Sequence, residues 1–169
     1  MSKFLALDLE AATSDFGNIC EIGCAVFENG VEVWSYESLV CPIKKEWGKW
    51  QGWNLPYKLN DALKAPGFEQ VWLEIMERAQ GLPIVAHNAV QVERRHLLAA
   101  FNHIGKRGWG RDLEFVCSLE QARLAWPKLP KHGLKPLCRE LNIDLDHHKA
   151  LSDARACGEV MLRTGAPLI

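Results

Sequence analysis

Apolar and polar positions along this chain fall into short blocks whose period changes. Residues 3–10, KFLALDLE, form a compact apolar run ending in two acids, the pattern of a central strand that delivers carboxylates at its end. In NICEIGCAVFENG (18–30), Cys20, Ile22, Cys24 and Val26 alternate with Glu21, Gly23 and Ala25, and Asn29-Gly30 is a strong hairpin signal. VEVWSYESLV (31–40) alternates again, which predicts a three-stranded meander. From Pro42 to Pro66 the pattern dissolves, with Trp47, Trp50, Trp53 and Tyr57 set among Lys44, Lys45, Lys49 and Lys58. In GFEQVWLEIMERAQG (67–81), Phe68, Val71, Trp72, Ile75 and Ala79 recur at helical spacing before Gly81. Beyond it the pattern predicts a strand at 83–87, a helix over 89–105 and a strand around 113–117. Helices over 118–126, 133–141 and 150–163 follow. Strands first, then alternating helices and strands, imply an α/β domain on a mixed sheet. Ligands of such sheets collect at the carboxyl ends of the strands.

Composition narrows the function classes. The chain has 169 residues, without internal repeats or a linker, so a single domain over 1–169 is expected. No apolar run reaches the ~20 residues that span a bilayer, and the amino terminus, broken by Asp8 and Glu10, does not read as a signal peptide. A formal net charge of −1 supplies no global basic field, so a polyanion needs a local patch or metal ions to hold it. None of the six cysteines forms a CxxC pair and most lie in apolar segments, which points to buried thiols in a reducing cytoplasm.

Chemistry enters with the acids. In Asp8-Leu9-Glu10 the two carboxylates share a strand face, where they raise each other's pKa unless a cation lies between them. Mg²⁺ and Mn²⁺ prefer such hard oxygen ligands; a strand end fraying into solvent would leave the same pattern. In HHKALSDARAC (147–157), Asp153 falls in the first turns of an amphipathic helix, flanked by Leu151 and Ala154. His148 stands five residues earlier, before the helix. An ordinary helix start, with Asp153 favoured by the helix dipole, is the alternative.

Taken together, these segments resemble one family, the DnaQ-like 3′–5′ exonucleases of the DEDDh type. FLALDLEAAT resembles its first motif, with Asp8 and Glu10 in the D-x-E positions. HHKALSDARAC resembles its third, H-x-x-x-x-D, with His148 and Asp153 at the matching spacing. IVAHNAV looks like the lead-in to the second. LEFVCSLEQARLAWPKLPKHGLKPLCRELNID resembles the stretch linking motifs two and three. The resemblance covers nearly the whole chain. It implies a ribonuclease H-like fold, a mixed five-stranded β-sheet flanked by α-helices. It also implies two Mg²⁺ or Mn²⁺ ions on Asp8, Glu10 and Asp153, with His148 as general base and His147 as fallback. The expected activity is hydrolysis of single-stranded or frayed DNA or RNA 3′ ends to nucleoside 5′-monophosphates. Paired ions suit in-line phosphodiester hydrolysis, and a histidine titrating near neutrality suits taking a proton from water.

The family's second motif continues H-N-x-x-F-D, and the fourth residue after Asn88 is Val92, which binds no metal. V-E-R-R-H-L (92–97) matches the family's F-D-R-x-x-L if one residue is added before Val92. At ~100° per residue, Leu97, Phe101 and Ile104 form an apolar stripe with Glu93 within ~40° of Leu97 and Val92 ~140° away. The ungapped register would put Gln91 and His96 at core positions. The stripe therefore favours Glu93 as fourth carboxylate; a helix-end charge without a ligand role is the alternative. Asn88 fits an N-cap, and His87 fits orienting the strand end or touching substrate. Gln51-Gly52-Trp53 is the one segment that resembles the family's base-wedging turn, and the resemblance implies Trp53 as substrate contact; tryptophans packing a long connection are the alternative. Ala11 and Ala12 lack hydroxyls, so contacts there would use backbone amides. Two rivals stand beside the enzyme: a catalytically weakened nucleic-acid-binding module and a proofreading subunit with a polymerase partner. No membrane association is expected, and oligomeric state is not legible.

Overall fold

The computed structural model describes residues 3–167. Five strands form one mixed sheet in the order β3-β2-β1-β4-β5. Strands β1 (Lys3–Ala11), β2 (Ile19–Glu28) and β3 (Val31–Leu39) run antiparallel, while β4 (Ile84–Ala86) and β5 (Phe115–Cys117) continue parallel to β1. Asn29 and Gly30 both take positive φ, 54° and 84°, as a type I′ hairpin turn requires. The meander and the mixed sheet thus follow the alternation in the sequence, and no helix among the described residues is long and apolar enough to cross a membrane.

Period-two alternation in β1 and β2 sends residues to two different layers. Leu5, Leu7, Leu9, Ile22, Cys24 and Val26 pack with α3 (Phe68–Ala79) and α4 (Glu93–His103). Helix α3 buries Phe68, Val71, Trp72, Ile75 and Ala79, the stripe its spacing predicts. On the other face, Phe4, Ala6, Ala25 and Phe27 meet α6 (Leu134–Leu141) and α7 (Ala150–Thr164), with Ala122 of α5 (Ser118–Ala125) in the same cluster. Asp8 and Glu10 lie next along that second face, so the apolar layer gives way to acids where β1 ends. The unpatterned stretch after Pro42 holds two short helices, α1 (Lys49–Asn54) and α2 (Leu59–Ala62), which join Ala12 and Cys20 in a small cluster with Leu55, Trp47 and Tyr57.

The second motif's helix departs from expectation. It starts at Glu93 rather than near 89, because residues 87–92 form a turn. Asn88 does not cap the helix. It adopts φ 74° and its carbonyl accepts the amides of Gln91 and Val92. The Arg94 amide then reaches back five residues to the Ala89 carbonyl, at 2.9 Å, so the turn is one residue wider than an α-helical one. Buried on α4 are Glu93, His96, Leu97, Ala100 and Phe101. Gln91 is exposed, whereas His96 is inside after all, edge-on to Phe16, with its Nδ1 accepting the Gly17 amide at 3.3 Å.

Helix α7 seats on β2 through one glycine. Gly23 pairs with Asp8 across the strands, and a Cβ there would overlap the backbone of Ala150 and Leu151. Only a bare backbone lets the start of α7, and with it Asp153, come down beside Asp8. Gly23→Ala is expected to destabilise the fold by about 3 kcal/mol, the upper end for overpacking, read as a lowered urea midpoint. An unchanged midpoint would show that α7 shifts freely.

Candidate active site

Carboxylates from three elements converge where β1 and β4 end. One ligand oxygen each from Asp8, Glu10 and Asp153 lies within 4.8 Å of the others. They line a cavity of about 280 Å³ with Leu9, His87, Asn88, Val92, Glu93, Leu134 and His147. Glu93 stands outside the tight trio but in the same cavity; it is 3% exposed and its Oε2 has no hydrogen-bond partner among the described residues. A buried carboxylate oxygen without a donor is costly unless a cation meets it.

The electrostatics agree. Burial, then the charges of Glu93, Asp153, Glu10 and Glu21, raise Asp8 well above the usual carboxylate range. Burial, then Asp153, Glu21 and Glu93, push Glu10 up to about 8. Burial alone raises Glu93 to about 7, with its own backbone amide pulling the other way. Mutual repulsion of this kind is relieved by a divalent ion, and the all-oxygen donor set suits a hard one. The donors present therefore fit a divalent metal, with Asp8, Glu10 and Asp153 as its core and Glu93 within the same cavity.

Both histidines before α7 face these acids, in different ways. His147 Nδ1 bonds Asp153 Oδ1 at 2.8 Å. The backbone amide of His148 donates to Asp153 Oδ2, also at 2.8 Å, and its ring Nδ1 lies 3.6 Å from Glu10 Oε1. His148 holds φ 68°, a left-handed conformation, and stacks on His147 with ring centroids 4.0 Å apart. Burial and the neighbouring His147 lower its pKa below the usual 6.5. The edge of Trp50 packs against His148 at 5.2 Å, so α1 reaches the site through Trp50, while Trp53 stands 80% exposed beside it.

The other expected contacts are redistributed. His87 lines the cavity, but both its ring nitrogens are engaged: Nδ1 with the Ser118 hydroxyl at 2.9 Å, Nε2 with the His132 carbonyl at 3.0 Å. Burial lowers it to about 4, so it is a neutral brace between β4 and the loop before α6. Ala12 offers no free amide, since its N–H donates to the Asn18 carbonyl and its side chain is fully buried. Ala11 ends β1, half-buried, opposite Ile19.

Sequence reasoning missed Glu21. It sits opposite Glu10 in the β1–β2 register, is 5% exposed, and accepts the Tyr57 hydroxyl at 2.8 Å. Burial raises it to about 7. The signal was present, since Glu21 shares the alternation phase of Gly23 and Ala25 on the face of Asp8 and Glu10.

Comparison with known proteins places this geometry. The family model RNase_T, described as exonuclease, matches residues 5–161. The chain is 28% identical over 166 residues to the PolC-type DNA polymerase III of Halalkalibacterium halodurans, covering 96% of this chain and 11% of that protein. To the PolC-type enzyme of Oceanobacillus iheyensis it is 37% identical over 79 residues, 46% of this chain and 5% of that one. The chain thus spans about a tenth, or less, of the length of these curated relatives. Exonuclease X in complex with 5′ overhanging duplex DNA superposes with a TM-score of 0.72 at 21% identity, over 97% of this chain and 90% of that one. The nuclease domain of 3′hExo, a DEDDh family member bound to rAMP, gives 0.74 at 14% identity, over 96% and 90%. The fold shared with them is ribonuclease H-like, and the chain belongs to the RNase_T exonuclease family.

Proposed function

We propose that this chain is a metal-dependent 3′–5′ exonuclease that trims single-stranded or frayed DNA or RNA ends to nucleoside 5′-monophosphates. The observation that carries the reading is the carboxylate trio at the sheet's carboxyl end, in a chain of an exonuclease family. Asp8, Glu10 and Asp153 would hold two Mg²⁺ or Mn²⁺ ions together with Glu93, whose buried Oε2 has no donor. Bound there, the ions supply neutralisation of the phosphate, an acidified water and stabilisation of the leaving 3′-oxygen.

The chain's own residues supply the rest. His147 fixes Asp153 through Oδ1, leaving its other oxygen held by the His148 amide. With Nδ1 turned toward Glu10, His148 has Nε2 to take the proton from the attacking water. Its lowered pKa keeps that nitrogen unprotonated at neutral pH. Trp50 holds the imidazole edge-on, and the exposed Trp53 beside it is placed to stack on a terminal base. The six unpaired cysteines, all but Cys41 buried, support a reducing, cytoplasmic setting.

A second reading has one observation in its favour. Relatives named as DNA polymerase III are many times longer than this chain, which supports a proofreading module working with a polymerase. The weakened-module alternative rests on the Val92/Glu93 irregularity, and the burial of Glu93 in the cavity supports the enzyme over it.

Labelled single-stranded DNA and RNA incubated with Mn²⁺ or Mg²⁺ should ladder from the 3′ end, and chelator or Asp8→Ala should abolish the ladder. Tight binding without hydrolysis in either metal would sink the enzyme reading. Glu93→Gln is expected to lower kcat/KM by at least about 100-fold and Val92→Ala by less than about 3-fold, the first being the size of a lost electrostatic contact in the transition state. Equal, minor effects would return Glu93 to a simple helix-end charge.

The raised carboxylates also set a pH dependence. Glu10, near 8, and Glu93, near 7, hold protons more tightly folded than unfolded, where carboxyls titrate near 4.5. Their contribution to stability is full below about pH 4.5 and is lost as pH rises through 7 to 8. In EDTA, the urea midpoint should therefore fall between pH 5 and pH 9 as these groups ionise, and saturating Mn²⁺ should restore most of it at pH 8. A midpoint indifferent to Mn²⁺ at pH 8 would contradict the metal site.

A further inference from the structure

Beyond the ligand set, a second buried assembly backs it from the side of β2. Glu21 lies directly across from Glu10 on the neighbouring strand and is almost fully buried. A fifth carboxylate so close to the others opposes folding unless strong donors hold it. One is in place, the Tyr57 hydroxyl, which donates to Oε2 at 2.8 Å; the amide of Ala150, first residue of α7, is near enough to ease the raised carboxylate without closing a hydrogen bond to it. Helix α7 needs such partners, because Lys149 offers no side-chain cap; the next amide, Leu151, donates to Glu37 of β3 at 3.3 Å. The start of α7 is therefore met by acids of the sheet, Glu37 by a hydrogen bond and Glu21 by proximity.

Tyr57 links the assembly to Glu10 from below as well. Its hydroxyl lies 3.7 Å from Cys20 Sγ, and that thiol donates to the Glu10 carbonyl at 3.4 Å. The same residues 43–66 that deliver Tyr57 also deliver Trp50 to His148, and Trp47 packs edge-on to the Tyr57 ring. Tyr57 and Glu21 thus touch the strand that carries Glu10 and the helix that carries Asp153, while neither touches the trio's shared centre.

We propose that Tyr57 and Glu21 are positioning residues for the metal centre: the phenol fixes Glu21, and Glu21 holds the start of α7 in register with Glu10. The role rests on the exonuclease reading above. A hydroxyl lost from Tyr57 frees Glu21 to rotate toward the trio, spreading the ligand oxygens and weakening the cation they share. An uncharged amide at position 21 keeps the shape but removes the acceptor strength toward Ala150 and part of the negative field that draws the ions in.

Full-length wild type, Tyr57→Phe, Glu21→Gln and Tyr36→Phe decide it. Tyr36 bonds Glu74 between β3 and α3, away from the acids, and controls for the loss of one tyrosine hydroxyl. Mn²⁺ binding is measured by calorimetry, which needs no turnover, and kcat and KM on a single-stranded oligonucleotide are measured at saturating Mn²⁺. Tyr57→Phe and Glu21→Gln should each bind Mn²⁺ about 10-fold more weakly and lose kcat with KM for the oligonucleotide unchanged, while Tyr36→Phe matches wild type in both. Wild-type Mn²⁺ affinity and kcat in both site variants would overturn the positioning role, even if their melting temperatures fall. A wild type that neither binds Mn²⁺ nor hydrolyses either polymer would instead overturn the exonuclease reading itself.

Discussion

Like charges gathered at one buried end of a sheet are the constraint on which this molecule turns. Asp8 and Glu10 arrive on β1, Glu21 on β2, Glu93 on α4 and Asp153 on α7, and burial opposes the charged form of each whose shift is resolved. Gathering these acids in one buried place opposes folding, and the few hydrogen bonds they accept offset only part of that. The group persists because two apolar layers are determined independently of it, Leu5, Leu7 and Leu9 against α3 and α4, Phe4 and Ala6 against α6 and α7. The layers hold the carboxylates where they repel, and the repulsion is what makes a divalent ion welcome. Folding and metal affinity are opposite sides of one free energy.

Much of this was legible in the order of residues. Alternation in β1 and β2, the hairpin dipeptide and the α3 stripe depend only on local periodicity, and each element formed as its period predicts. Asp8, Glu10 and Asp153 were readable because acids break apolar patterns at the ends of those elements. Glu21 was not, although it carried the right phase, because its meaning depends on the cross-strand register that sets it opposite Glu10. Tyr57 belongs to a stretch with no period at all, where tertiary contact alone decides what a side chain does. Asn88 and Ala12 misled for another reason. Each had a sound local role, as cap or as amide donor, but Asn88 lies in a turn that ends before α4 starts and the Ala12 amide is already bonded to the Asn18 carbonyl.

The histidine pair shows the same competition at closer range. Spacing singles out His148, yet it is His147 that bonds the Asp153 side chain, while His148 spends its backbone amide there and turns its ring toward Glu10. The left-handed backbone of His148 itself makes this division geometrically available. Two successive side chains thereby serve two different acids of one cluster, which no strand or helix would allow for neighbours.

The wide turn at 87–92 has a consequence for how such a site changes over time. A helix entered through a loose turn takes its rotation from the packing of its apolar stripe, not from the number of residues that precede it. An inserted residue is swallowed by the turn while Leu97 and Phe101 stay seated. What moves is the identity of the residue presented to the neighbouring strand, by one place in the sequence. Such a turn lets the chain gain or lose a residue here without unseating the helix. Helix phase, rather than the count of residues from Asn88, therefore turns Glu93 into the buried cavity.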